Sequence, residues 1–365
     1  MNWLNRSLHH VRTTNIALYW VFAVSLFLNS TIALGEPSLD ISDDPNTYVL
    51  LLPHTKVLTD IEGKLSLEDV ISQLPSTQFM ALATDDKRFY RNSGSYWFSF
   101  SLSNTSNESL SFWLECDNIR LDNIELYAEI TDANNNKTYS LIDRAGDKYI
   151  NSRWDVQERI NLLRLSTEAN TTQKFLLKVE NTAGVRFSAR LYSDHSQTIY
   201  FGGLDRQLGI IYGILLALFI YTLNIYITLK DRTFLYFMVV IAAVTIQTAS
   251  NQGTVKVLFP GNSELVDLLT IFGSSLNIIA SAFFIRNFLM LSKHNPILDK
   301  ILLTTGIMAL AVLPIYPVSL ETAELATILS GSIATLVTIL ACGIRLHNGY
   351  IPAAFPLAGS LFIFI

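Results

Sequence analysis

The stretch LGIIYGILLALFIYTLNIYITL, from Leu208 to Leu229, runs for 22 residues without a charged side chain. A helix rising 1.5 Å per residue needs about 20 residues to cross a hydrocarbon core of about 30 Å, so this segment reads as a membrane span. Lys230, Asp231 and Arg232 follow it at once, and a long polar segment precedes it. Lysine and arginine collect on the cytoplasmic side of spans, which places residue 230 inside and everything upstream outside.

Further apolar segments follow with short links: Thr233 to about Gln252, Leu268 to Ile285, Ile301 to Leu320, Leu325 to Ile344, and a sixth from near Tyr350 to Ile365. Residues 208–365 are therefore expected to form a helix bundle of five complete spans and a cut-off sixth, and the ending reads as a fragment or a truncated product. Pro314 and Pro317 remove backbone donors and should kink or break the outer end of the fourth span. Lys230, Arg232, Arg286, Lys293, Lys300 and Arg345 fall inside on this topology, against Lys256 alone outside.

Upstream, residues 1–35 read as a signal peptide. Arg6 and Arg12 give a basic start, Ile16 to Leu28 a short apolar run, and Ala33 and Gly35 the small residues of a cleavage site. An uncleaved anchor is the alternative. Residues 36–200 are polar and alternate with period two, as in Ser95 to Leu102, Leu110 to Cys116, Asn123 to Ile130, Asn161 to Leu165 and Lys174 to Val179, with a further strand at Tyr48 to Leu52. Short strands separated by polar turns predict an exported antiparallel β-sandwich. One helix is expected over Ser66 to Leu74, capped by Ser66. Residues 201–207 read as a connector.

The net charge of −5 and the lack of any lysine or arginine block exclude a nucleic-acid binder. The two cysteines, Cys116 in the polar half and Cys342 in a span, fall in different compartments, so no disulfide framework is expected. The six histidines are scattered, and neither a phosphate-binding glycine loop nor a metal motif occurs, so no catalytic residue, cofactor or metal is assigned. The span middles carry no Asp, Glu, Lys or Arg, which argues against an ion-coupled transporter. A transport or channel accessory protein with a periplasmic solute-binding domain stays as the alternative to a receptor. Neutral polar residues such as Asn224, Gln247 and Asn277 read as interhelical hydrogen-bonding groups, and Gly209 with Gly213 has the spacing of a helix-pairing face, hence a candidate homodimer contact. Trp97 and Trp113, within alternating strands, read as core. Trp154 beside Arg153 reads as a contact patch or a folded-back loop aromatic, and Arg120 and Asp122 flank a strand, where they either pair with each other or meet a ligand. Arg120, Asp122, Arg153 and Trp154 are thus the candidate ligand-binding residues.

Several short motifs carry a resemblance. They are Tyr212 to Asn224 in the first span, Asp231 to Phe237 after it, Asn251-Gln252-Gly253 at the end of the second, and Asn348 to Ala354 before the sixth. In the outer domain they are Asp60 to Ser66, Tyr96 to Phe100 and Leu121 to Tyr127. Together the chain resembles the bacterial seven-transmembrane receptors with diverse intracellular signalling modules (7TMR-DISM), with their type 2 extracellular domain. The resemblance implies a jelly-roll sandwich joined to an all-α bundle in the inner membrane, with the β domain in the periplasm. It further implies sensing of a small ligand, carbohydrate among the candidates, and an output module such as a diguanylate cyclase or histidine kinase beyond this chain. The family's arginine two residues after the strand tryptophan is replaced here by Ser99.

Overall fold

A computed structural model describes residues 38–41, 48–60, 62–74, 78–82, 94–131, 137–148, 159–181 and 188–361. The signal segment, Arg153 and Trp154 lie outside the described residues.

Eleven strands among the described residues form two antiparallel sheets. They are β1 (Ser38–Asp40), β2 (Val49–Leu50), β3 (Lys56–Asp60), β4 (Met80–Ala81), β5 (Gly94–Asn104), β6 (Leu110–Cys116), β7 (Asn123–Thr131), β8 (Lys137–Ala145), β9 (Asn161–Thr167), β10 (Thr171–Asn181) and β11 (Ala189–Ser193). One sheet has the order β4-β3-β5-β10-β7-β8, with β1 also on β5; the other is β2-β11-β6-β9. The period-two pattern decides which side chains meet. Phe98, Leu102, Ile124, Leu126, Phe175 and Leu177 from the first sheet face Leu114, Cys116, Leu163, Leu165 and Leu191 from the second in one apolar core. Phe100 stacks on Phe175 at 5.3 Å.

The alternate residues are buried as well, because helices cover both outer faces. On the first sheet Trp97, Leu58 and Leu176 lie in a cluster with Val70 of α1 (Leu67–Gln73). Ser66 caps that helix as expected, accepting from the Asp69 amide while the Asp69 carboxylate accepts from the Ser66 amide, a reciprocal capping box. On the second sheet Trp113, Leu162 and Tyr192 pack with Phe201 of α2 (Asp194–Leu229). Both tryptophans are core residues, each beneath a helix and outside the space between the sheets.

The membrane half follows: α3 (Arg232–Asn251), α4 (Thr254–Leu258), α5 (Ser263–Phe288), α6 (Leu291–His294), α7 (Pro296–Leu310), α8 (Leu320–His347) and α9 (Ala354–Leu361). Among the described residues α2, α3, α5 and α8 are long and apolar enough to cross a membrane. The fourth expected span differs. Its helix α7 ends at Leu310 after 15 residues, and 311–318 continue as turns around Pro314 and Pro317, where the missing amides interrupt the helical ladder. Between α2 and α3 the chain reverses in two residues: Lys230 adopts a left-handed conformation and Asp231 accepts from the Thr233 amide as the cap of α3. Gly306 lets α7 approach α5 closely, since a Cβ there would lie 2.6 Å from the Ile279 Cδ1. Tyr236 stacks on Phe283 and Phe237 lies against Phe284, joining α3 to α5.

Helix α2 begins at Asp194 rather than at Leu208, so the stretch expected as a connector is its third and fourth turns. Strand β11 ends at Ser193, which is also the N-cap of α2, and no loop residue intervenes.

Phe175→Ala removes a ring at the centre of the sandwich and is expected to cost about 3–5 kcal/mol. A thermal melt followed by near-ultraviolet circular dichroism should show the β-domain transition shifted down, with the helical signal at 222 nm retained.

Candidate functional site

The loops at one end of the sandwich bear on the near end of the bundle. The β6–β7 loop is fixed first by its own polar groups. Asn118 Oδ1 accepts the Arg120 amide at 3.0 Å, Asn161 Nδ2 donates to the Asn118 carbonyl at 2.8 Å, and Leu121 is fully buried. These contacts aim Arg120 out of the sandwich. Its Nε donates to Asp267 of α5 at 2.9 Å and its Nη2 lies 2.8 Å from the same carboxylate, while Nη2 also donates to Glu324 of α8. Burial disfavours the charged guanidinium, but the Glu324 and Asp267 carboxylates outweigh it and hold Arg120 more firmly protonated than usual.

A second arginine makes the other half of the seam. Arg159 donates to Asp205 of α2 through Nε at 3.2 Å and Nη2 at 3.0 Å, and through Nη1 to the Gln252 carbonyl at 2.9 Å. That carbonyl closes the C-terminal end of α3, where a cation is favoured. Next to it Gly253 has φ +77, and a Cβ there would lie 2.2 Å from the Arg159 carbonyl oxygen. Lys256 of α4 donates to Asn161 Oδ1 at 2.6 Å. Tyr212 of α2 and Thr254 of α4 share a hydrogen bond at 2.8 Å.

The head of α2 is held by an aromatic and charged cluster. Trp113 Nε1 donates to Asp194 at 2.6 Å, and the buried Glu115 accepts from Tyr192 at 2.8 Å and Arg190 at 3.1 Å. Burial, then Glu115, raises the Tyr192 phenol far above its ordinary value. Tyr200 and Phe201 pack on Tyr192 with centroids 5.3 and 5.4 Å away, so these residues rest on the sheet as well as flanking the span.

Of the sequence-derived ligand residues, the structure places Arg120 in the seam and Asp122 beside it, bonded to Lys148 at 2.7 Å. Asp122 and Lys148 line a cleft of about 270 Å3 with Gly63, Gly94, Ser95, Asn123, Glu180 and Asn181. Asn123 donates to Glu180 at 2.8 Å, and Glu180 pairs with Lys178 at 2.7 Å, so the cleft is lined by polar groups paired with one another. A larger space of about 650 Å3 lies within the bundle, with Gln247, Asn277, Ser281 and Thr335 among its lining. Of the polar span residues, Asn277 meets Gln247 across helices at 3.4 Å, whereas Asn224 bonds back to Ile220 in its own helix. Gly209 and Gly213 face open space. Among the described residues no group of three or more His, Cys, Asp or Glu is placed to hold a metal ion.

Asp267 and Glu324 were missed from the sequence. Each is the last residue before an expected apolar run, starting at Leu268 and Leu325. An acidic residue at the outer edge of two spans, facing an outer domain with arginine in its loops, was the available signal.

A β domain fused strand-to-helix to a bundle of apolar helices, and pinned to it by two arginines, defines a membrane protein in which the outer domain and the spans form one unit. Residues 206–365 match the family model described as 7TM diverse intracellular signalling, and residues 52–193 match 7TMR-DISM extracellular 2. The chain belongs to the 7TMR-DISM family, whose architecture is that of a membrane receptor linked to intracellular signalling. No curated protein matches it. Among solved structures it is similar to the K3 adhesin domain of Lys-gingipain from Porphyromonas gingivalis, at 15% identity over 38% of this chain and 96% of that one, with a TM-score of 0.15. It is similar also to the K1 domain of the same protein, at 19% identity over 28% and 62%, with a TM-score of 0.13.

Gly253→Ala forces a side chain into the Arg159 backbone and is expected to destabilise the seam by about 2 kcal/mol, combining the left-handed penalty with the clash. Arg120→Ala leaves two partly buried carboxylates facing each other and should cost about 2–4 kcal/mol, of which Arg120→Met with Asp267→Asn and Glu324→Gln recovers a part. Thermal unfolding in lipid discs measures all three.

Proposed function

We propose that this chain is the sensing and relaying part of a bacterial inner-membrane receptor, with the β domain in the periplasm and a cytoplasmic output module receiving its signal. The observation that carries the reading is the passage from β11 into α2 without a loop, which ties the sheet to a membrane span. The basic residues Lys230, Arg232, Arg286, Lys293, Lys300 and Arg345 at the far end support a cytoplasmic location for that end. A small polar ligand would enter the cleft at Asp122, Asn123, Lys148 and Glu180, where paired donors and acceptors suit a polyhydroxylated molecule. Its differential affinity for two arrangements of the seam would set the size of the response.

The test is a calorimetric titration of the protein in lipid discs with a panel of neutral mono- and oligosaccharides. The expected result is saturable binding by a member of the panel, weakened about 10- to 100-fold by Asp122→Ala through loss of a charge-assisted hydrogen bond. Binding indifferent to both Asp122→Ala and Lys148→Ala, or no binding across the panel, overturns the cleft as a saccharide site.

A further inference from the structure

One group in the seam has no place in the contacts described so far. Asp147 follows Gly146 in the turn after β8, and that turn is pressed against the β6–β7 loop. The Asp147 amide donates to the Leu121 carbonyl at 2.9 Å, the Lys148 amide donates to the Asp122 carbonyl at 3.2 Å, and Gly146, at φ +122, would set a Cβ 2.5 Å from the Asp122 carbonyl oxygen. The backbone is thereby fixed, and it holds the Asp147 side chain inside the junction, 3% exposed. Among the described residues its Oδ1 has no hydrogen-bond partner. A buried carboxylate oxygen without a donor is costly when ionised, far less so when the carboxyl carries its proton.

The surroundings sharpen the point. From the β domain Asp122, Lys148 and Arg120 bear on this junction, from α4 Lys256, from α5 Asp267 and from α8 Glu324. Lys256 and Lys148 favour the ionised form of Asp147, whereas Asp122 and Asp267 oppose it. Lys148 is bonded to Asp122, Lys256 to Asn161, and Arg120 to Asp267 and Glu324. Among the described residues the junction sets four carboxyl groups against three cations, and one proton balances that set. Among the described residues no group of three or more His, Cys, Asp or Glu is placed to hold a metal ion here. Protonation relieves the group, because a neutral carboxyl is far cheaper to bury than a carboxylate.

We propose that the junction between β domain and bundle is a proton-operated latch, in which Asp147 binds a proton when the two halves dock, so that the acidity of the outer compartment sets how tightly the β domain is held. Burial, with Asp122 and Asp267 adding to it, lifts the Asp147 carboxyl from 3.8 to about 7 in the docked arrangement. An undocked Asp147, returned to water, has the ordinary value. The docked form therefore binds more protons between those limits, and its advantage falls as pH rises through that window and is constant above it. The latch is tight in acid and loosens toward neutral pH. It acts on docking itself and does not depend on the saccharide reading of the cleft.

The experiment measures the distance between spin labels on Glu168→Cys, in the β9–β10 turn, and Val318→Cys, in the turn before α8, in the otherwise complete chain in lipid discs. Both positions are exposed, while Cys116 and Cys342 are buried. Arg159→Ala serves as a second background, because it loosens the seam at a pair whose carboxylate, Asp205, is exposed and so brings the open form into range without stranding a buried acid. The expected result is a short and a long distance whose ratio shifts by up to about tenfold per pH unit from pH 5 to 7 and levels off above. Asp147→Asn, which keeps the shape and removes the charge, should hold the short distance at every pH. His195→Gln, at the start of α2, should leave the transition in place. A ratio independent of pH in the Arg159→Ala background, or a transition that survives Asp147→Asn, overturns the proposal.

Discussion

Arg120 joins the two halves of the chain. Its guanidinium leaves a β-domain loop and reaches carboxylates on two different apolar helices, Asp267 and Glu324, and none of the three is fully exposed or fully buried. A pair of that kind gains little over two hydrated charges, but breaking it leaves charge stranded at a dry surface. The cost of separation therefore lies in the unpaired state, which makes the arrangement either made or unmade with little between. Arg159 repeats the logic on α2 and α3, using one carboxylate and one helix-end carbonyl.

The remainder of the fold makes those two contacts geometrically fixed. The sandwich core registers its two sheets through alternating side chains, and the sheets present their outer faces to helices α1 and α2. Since both faces of β5 are covered, Ser95, Ser99 and Ser101 are buried although they occupy the polar positions of an alternating strand. The loops at the near end then inherit the rigidity of the strands they join. Gly253 is glycine because the Arg159 backbone passes where a side chain would begin.

Much of this was legible in the chain itself. Apolar runs with basic residues after them marked the helices, period-two stretches marked β5, β6, β7, β9 and β10, and Ser66 marked the start of α1. Strands β3, β8 and β11 escaped, because their sides are unequally covered and the alternation is broken by buried polar groups such as Asp60 and by exposed apolar ones such as Leu141 and Ile142. The start of α2 escaped for a related reason: its first turns are held by the sheet, through Trp113 and Tyr192, and carry the polar residues of a juxtamembrane linker. Arg120 and Asp122 were legible as candidates by residue type, but their partners lie 147 and 204 residues away for Arg120, and no local pattern encodes such pairings.

Helix α2 has 36 residues, and it is fastened to the sheet at one end while its opposite face meets little of the protein. A rod of that kind is a lever. At 1.5 Å per residue it is about 54 Å long, so a tilt of about one degree at the sheet moves its far end by about 1 Å. Rearrangements too small to alter any single hydrogen bond at the seam would arrive on the other side of the membrane as displacements comparable to an atomic radius.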